Sequence, residues 1–134
     1  MLVTISQSGE TADTLAALQQ AKQESYIGTL AICNVPESSL VRESDLVLMT
    51  HAGPEIGVAS TKAFTTQLIA LLMLTISAGR RYGMSDETEK MLVEQLTNLP
   101  VRLNKVLELD SNIKKLAKYY SDKQHALFLS LIHI

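Results

Sequence analysis

Tryptophan is absent from this chain, and aromatic residues make up only 4% of its 134 residues. So few aromatic side chains argue against a protein that stacks nucleic-acid bases on aromatic platforms. The net charge of −2, without any cluster of basic residues, argues against a general nucleic-acid binder as well. The amino terminus lacks a basic segment followed by a long apolar run, so we expect no signal peptide.

Cysteine is also scarce. The single Cys33 lies in an apolar run and cannot form an internal disulfide, which fits a reduced, cytoplasmic setting. The three histidines are scattered without the paired spacing of metal ligands, so we expect no metal site and no cofactor. The chain as a whole is 46% hydrophobic and 19% charged, which is typical of a globular protein, and its length suits one domain.

The turn Ser6–Thr11 joins a predicted strand to a predicted helix. The apolar residues Leu2–Ile5 precede it and predict a buried strand. Apolar residues recur at helical spacing behind it, so we predict that a helix begins near Gly9 or Glu10. The first N–H groups of a helix lack intrahelical partners and carry positive potential, which makes such a turn suitable for a phosphate.

The hydroxyl groups of this turn strengthen that interpretation. Ser6, Ser8 and Thr11 would add hydroxyl donors to the backbone amides. Gly9 has no Cβ, so its backbone could approach the phosphate oxygens closely. The alternative is that Ser8 only caps the helix, as serine often does.

Two further apolar runs, residues 28–33 and 45–49, predict buried strands that alternate with helical segments. Strands with nearly continuous apolar character are typical of parallel βαβ units, in which both faces of the sheet are covered. We therefore predict an α/β fold, a three-layer α/β/α sandwich with a parallel sheet of the flavodoxin or Rossmann type.

A second loop, Thr50–Thr61, follows the third predicted strand and contains two glycines, one proline and a Ser-Thr pair at the next helix start. Ligands of open α/β sheets bind outside the carboxyl ends of the strands, where both loops would lie. The two loops together predict a site for a small anionic ligand. Within this loop, Glu55 could orient a ligand hydroxyl or simply bind backbone amides. His51 could lie near a ligand or be exposed.

The helix predicted over residues 61–77 is apolar around most of its circumference. Such a helix is buried in a core, in a subunit interface or in a membrane. Its unbroken apolar run, residues 68–74, is shorter than the ~20 residues that a bilayer requires. We therefore predict a core position and a homo-oligomer interface, and no membrane contact. Lys62, at its start, either faces an anion or is a solvated surface lysine.

The remainder of the chain predicts helices and one strand. After a basic, glycine-containing break at residues 79–85, helical segments begin near residues 85, 100 and 110. In the last of these we expect an inward face formed by Ile113, Leu116, Ala117 and Tyr120. Residues 126–129 predict a final strand.

Four segments together resemble the sugar isomerase (SIS) family. They read SQSGETADT at residues 6–14, AICNV at 31–35, SLVRESD at 39–45 and EIGVASTKAF at 55–64. More narrowly, residues 3–129 resemble the isomerase half of the glutamine–fructose-6-phosphate aminotransferases, also called glucosamine-6-phosphate synthases. This resemblance implies a cytoplasmic enzyme that converts fructose 6-phosphate and glutamine-derived ammonia into glucosamine 6-phosphate for amino-sugar synthesis.

The resemblance also implies which residues bind the substrate. The family's phosphate-binding turn is matched here by Ser6, Gln7, Ser8 and Thr11. Two positions that approach the sugar are matched by Val58 and Ser60. No residue here matches the glutamate base, the ring-opening histidine or the imine-forming lysine of the family. We therefore expect the chain alone to bind a hexose 6-phosphate without catalysis.

The chain also resembles only part of a family member. We expect a truncated fragment in which residues 1–129 form the first SIS subdomain without its opening strand. Residues 130–134 would then be the start of the next segment or a non-native tail. Two alternatives remain: a non-catalytic module that senses sugar phosphates, as in SIS-containing regulators, and a truncated product that mainly assembles through its apolar helix.

Overall fold

The computed structural model describes residues 1–56 and 60–125. Three strands, β1 (Leu2–Ser6), β2 (Thr29–Cys33) and β3 (Leu46–Met49), form a parallel sheet in the order β1-β2-β3. Parallel neighbours require crossover connections, and helices supply them here. The predicted α/β class with a parallel sheet is confirmed.

Six helices accompany the sheet in the described residues: α1 (Ala12–Gln23), α2 (Ser39–Glu43), α3 (Lys62–Arg81), α4 (Asp86–Thr97), α5 (Leu99–Leu107) and α6 (Asp110–Tyr120). The prediction that α1 begins near Gly9 or Glu10 is wrong. Gly9 has a φ of 70°, in the left-handed region, and Thr11 is extended. The turn therefore continues to Thr11, and the first helical residue is Ala12.

The helix α3 continues beyond the predicted break at Gly79. The N–H of Tyr82 donates to the carbonyls of Ala78 and Gly79, which closes the last turn. Gly83 follows with a φ of 97°, so the break begins there rather than at Gly79. Arg80 and Arg81 occupy the last turn, where cations are favourable to the helix dipole.

The core that supports the first turn lies between the sheet, α1 and α2. Leu18, Ala31 and Leu40 form its fully buried cluster, with Leu2 and Leu15 packed against it. Cys33 is also fully buried, as its apolar neighbours predict. Because α1 and α2 are anchored by this cluster, the segments that precede both helices are fixed at the carboxyl edge of the sheet.

The chain divides into two compact units, Met1–Glu89 and Lys90–Ile134. In the second unit, the prediction of an inward face on α6 is wrong: Ile113, Leu116 and Tyr120 are 59%, 56% and 56% exposed. Over residues 90–125 all the regular secondary structure of this unit is helical, and none of the residues of α4, α5 and α6 is buried. The strand predicted at residues 126–129 lies outside the described residues.

The helix α3 has much exposed apolar surface. Among its described side chains, Phe64, Leu68 and Met73 are 56%, 50% and 50% exposed. The helix is long enough and apolar enough to cross a membrane, although core helices of soluble proteins meet the same criterion. Its short unbroken apolar run therefore does not by itself exclude a membrane.

Candidate functional site

A cleft of about 430 Å³ lies at the carboxyl edge of the sheet. Its walls come from the three segments that follow the strands: Gln7 after β1, residues 34–36 after β2, and residues 53–55 after β3. The strands are parallel, so their carboxyl ends meet at this edge, as the sequence predicted. The volume falls within the range of small-molecule sites.

The hydroxyl groups of the turn Ser6–Thr11 accept hydrogen bonds within the turn. Ser6 Oγ accepts one from the Gly9 N–H at 3.0 Å and lies 3.3 Å from Thr11 Oγ1. Ser8 Oγ accepts one from the Glu10 N–H at 3.2 Å. A hydroxyl that accepts from the backbone still has its own proton to donate. Ser8 therefore keeps its proton for a ligand, whereas one hydroxyl of the Ser6–Thr11 pair donates to the other and only one proton of that pair is left for a ligand.

The backbone amides at the start of α1 are a second source of donors. Its first intrahelical hydrogen bond runs from the Leu15 N–H to the Thr11 carbonyl at 3.0 Å. The N–H groups of residues 12–14 consequently have no intrahelical acceptor. The cap residue is Thr11, which makes no side-chain cap hydrogen bond. Ser8 therefore does not cap α1, and that alternative from the sequence is wrong.

Gly9 is required for packing. A Cβ at Gly9 would overlap Ser38 Oγ and lie 2.6 Å from Ser38 Cβ and 2.9 Å from Cys33 Sγ. The sequence suggested that Gly9 permits approach to a ligand, whereas the structure shows that it permits approach to the residue before α2. The Leu40 N–H donates to the Gly9 carbonyl at 3.0 Å, which ties the turn to α2.

Two carboxylates near this edge bind the amino-terminal ends of helices. Glu10 Oε1 accepts a hydrogen bond from the Ser39 N–H at 2.7 Å, and Glu55 Oε1 accepts from the Thr61 N–H at 2.7 Å and the Thr61 hydroxyl at 2.8 Å. Backbone and side-chain hydrogen bonds from Ser39 lower the pKa of Glu10, and those from Thr61 lower the pKa of Glu55. Glu55 Oε1 thus binds backbone, one of the two roles considered for this residue. Its Oε2 is buried without a hydrogen-bond partner in the described residues, and Glu55 lines the cleft, so the ligand-orienting role stays a prediction.

The sequence analysis missed the role of Asn34. This residue follows β2, is 8% exposed, and hydrogen-bonds through both ends of its side-chain amide to the segment after β3. A signal was present, because a polar residue directly after a fully buried strand needs partners for its amide. Its partners come from a separate segment, so their identity requires the fold.

The remaining candidate residues lie along the loop that leads to α3. His51 is exposed and has a φ of 51°. Ser60 is exposed and directly precedes Thr61, the cap residue of α3. Lys62 is exposed, and its Nζ lies 4.0 Å from the position that a Cβ would take at Gly53 in the cleft wall. Val58 lies outside the described residues.

The described residues 1–56 and 60–125 contain no group of three or more histidine, cysteine, aspartate or glutamate side chains that could hold a metal ion.

Comparison with known proteins identifies the family. Residues 1–77, more than half of the chain, match the SIS domain family. The chain belongs to this family. The chain is 61% identical over 130 residues to glutamine–fructose-6-phosphate aminotransferase (isomerizing) of Pseudomonas syringae pv. tomato. It is 59% identical over 129 residues to the enzyme of the same name from Escherichia coli K12.

These alignments cover 96% of this chain and 21% of each relative, so the chain spans about a fifth of their length. A solved structure, the C-terminal domain of glucosamine-fructose-6-phosphate aminotransferase from Francisella tularensis, superposes with a TM-score of 0.86. It is 51% identical, and the match covers 92% of this chain and 35% of that domain. The SIS resemblance seen in the sequence is confirmed.

Proposed function

We propose that this chain is the sugar-phosphate-binding part of a cytoplasmic isomerase domain. The complete enzyme would convert fructose 6-phosphate and glutamine-derived ammonia into glucosamine 6-phosphate. The proposal is supported by the names of relatives that are 61% and 59% identical over 96% of the chain. The structure supports the same ligand class, because one sheet edge combines a cleft with helix amides and oriented hydroxyl groups.

The phosphate would bind in the turn Ser6–Thr11. The observation that carries this assignment is that Ser8 Oγ accepts from the Glu10 N–H and keeps its proton for a ligand, next to a helix start whose amides lack intrahelical acceptors. Gln7, in the cleft wall, would contact the ligand as well. Val58 and Ser60, in the loop before α3, would approach the sugar.

The described residues suit binding better than catalysis. Moving a proton between C2 and C1 of the sugar needs a base whose pKa is near the working pH. Hydrogen bonds from Thr61 lower the pKa of Glu55, which makes its carboxylate a weaker base. We propose that this chain binds and orients a hexose 6-phosphate, and that the acid–base groups belong to other parts of the enzyme.

Titration calorimetry with fructose 6-phosphate and with unphosphorylated fructose tests this function. We expect binding of the phosphorylated sugar only. The double variant Ser8→Ala/Thr11→Ala removes two hydroxyl donors, and hydrogen bonds to charged groups contribute about 1.5–3 kcal/mol each, so affinity should fall about tenfold or more per hydroxyl.

The matched control is Ser44→Ala/Thr75→Ala. These hydroxyl groups donate to the Leu40 and Leu71 carbonyls of their own helices, and neither residue belongs to the turn Ser6–Thr11 or lines the cleft. The control should therefore retain wild-type affinity. Equal responses to fructose and fructose 6-phosphate would contradict phosphate recognition, and unchanged affinity in the Ser8/Thr11 variant would remove these residues from the site.

We also propose that the chain forms a homo-oligomer through α3, and that it binds neither membranes nor nucleic acids. Exposed apolar side chains on a long helix favour a protein interface when the rest of the molecule is an α/β domain. The half-exposed Phe64, Leu68 and Met73 would be covered by a second copy of the chain. The net charge of −2 disfavours contact with phosphate backbones and with anionic lipids.

A further inference from the structure

Asn34 makes three hydrogen bonds to one short segment after β3. Its Oδ1 accepts from the Ala52 N–H at 2.7 Å and from the Thr50 hydroxyl at 3.2 Å. Its Nδ2 donates to the Gly53 carbonyl at 2.8 Å. Asn34 itself is only 8% exposed, while the segment that it contacts is partly exposed.

The segment that Asn34 holds has an unfavourable backbone. His51 has a φ of 51° and Gly53 has a φ of 73°. A residue with a side chain is disfavoured in this region, and such conformations persist only where surrounding contacts determine them. The Asn34 contacts lie on both sides of His51, at Thr50 and at Ala52 and Gly53. The side chain of Asn34 therefore stabilises the turn that His51 alone would not favour.

This turn forms part of the cleft. Asn34 and Gly53 both line it, opposite the segment of Gln7 that follows β1. A binding wall that is held in place before the ligand arrives avoids the cost of ordering it during binding. We propose that Asn34 is a positioning residue, which holds the Gly53 wall of the cleft in the conformation that binds a hexose 6-phosphate. The inference rests on the proposed function of this cleft.

Asn34→Ala tests the inference, with Thr29→Val as the matched control. Thr29 lies at the other end of the same strand, is 3% exposed, and donates its hydroxyl proton to Asp45 Oδ2 at 2.8 Å. Both substitutions remove part-buried hydrogen bonds at the two ends of β2, but only Asn34 lines the cleft. Affinity for fructose 6-phosphate is measured by calorimetry at a temperature where circular dichroism shows both variants to be folded.

We expect Asn34→Ala to bind fructose 6-phosphate about tenfold more weakly than wild type, which corresponds to about 1.4 kcal/mol. Thr29→Val should bind like wild type despite its lower stability. Hydrogen exchange supplies a second readout: the Ala52 N–H loses its acceptor in Asn34→Ala and should exchange faster, while in Thr29→Val it stays protected.

Asn34→Asp separates the two ends of the amide. A carboxylate can still accept from Ala52 and Thr50, but it places an oxygen against the Gly53 carbonyl in place of the donor. We expect the Ala52 amide to stay protected while affinity falls. Wild-type affinity in this variant would show that the Gly53 wall needs no positioning.

The outcomes distinguish this inference from the proposed function. If wild type binds fructose 6-phosphate and Asn34→Ala loses no more affinity than Thr29→Val, Asn34 has a purely structural role and the inference is overturned alone. If wild type does not distinguish fructose 6-phosphate from fructose, the proposed function fails and the inference fails with it.

Discussion

Replacing Gly9 by alanine perturbs the centre of the candidate phosphate turn through two separate effects. The first is conformational, because Gly9 has a φ of 70°, which disfavours any residue with a Cβ. The second is steric, because the new Cβ would lie 2.6 Å from Ser38 Cβ and 2.9 Å from Cys33 Sγ and would overlap Ser38 Oγ. Both neighbours are buried, so neither can easily move away.

The magnitude follows from these two effects. A left-handed conformation costs a residue with a Cβ roughly 1–2 kcal/mol. Overpacking a well-packed site costs typically a further 1–3 kcal/mol. We therefore expect Gly9→Ala to reduce the free energy of unfolding by about 2–5 kcal/mol. This is a large fraction of the stability of a small domain.

Gly83→Ala is the matched control for the conformational effect. Gly83 has a φ of 97°, and a Cβ there would meet nothing within 4 Å. Urea unfolding of both variants, followed by circular dichroism, should show that Gly9→Ala is the more destabilising by about 1–3 kcal/mol. A second substitution, Ser38→Gly, should recover part of that difference because it removes the two closest atoms. Equal destabilisation by Gly9→Ala and Gly83→Ala would refute the steric argument.

Three further predictions concern pH, association and catalysis. Hydrogen bonds from Thr29 lower the pKa of Asp45. The contribution of Asp45 to stability is therefore complete above the unfolded pKa of about 3.9 and is lost as pH falls through the folded pKa. Urea unfolding at a series of pH values should show that Asp45→Asn loses less unfolding free energy at acid pH than wild type. Sedimentation at low micromolar concentration should reveal a dimer or larger assembly that Phe64→Glu/Leu68→Glu weakens, and a wild-type monomer would contradict the interface on α3. Fructose 6-phosphate in deuterated water should show no exchange at C1 above a protein-free control, and exchange that Glu55→Gln abolishes would make Glu55 the base.

The sequence predicted those features that depend on neighbouring residues along the chain. Continuous apolar runs predicted the three strands and their parallel arrangement. The burial on both faces that these runs also predicted holds only for β2, and is wrong for β1 and β3, which have exposed apolar side chains in the described residues. The turn Ser6–Thr11 and the loop Thr50–Thr61 were placed at one edge of the sheet from topology alone. Both predictions follow from rules that require no knowledge of side-chain contacts.

The contacts that shape the site could not be predicted in this way. Glu10 binds the amino-terminal end of α2, 29 residues further along the chain, and Asn34 binds a segment 16–19 residues away. A glutamate or an asparagine in a turn has many potential partners, and only the packed fold selects one. The start of α1 was predicted wrongly for a related reason: Gly9 has a left-handed backbone where it packs against Ser38, a residue distant in sequence.

The same long-range contacts bear on the proposed anion site, which would lie beside carboxylates in a chain of net charge −2. The helices α1, α2 and α3 all begin after strands of one parallel sheet, so their positive ends share its carboxyl edge. Glu10 occupies the amino-terminal end of α2 and Glu55 that of α3. At α1 the cap residue makes no side-chain hydrogen bond, and the exposed Asp13 places a carboxylate in the first turn. The two glutamates therefore occupy the amide ends of α2 and α3, and α1 is the end that we propose for the phosphate.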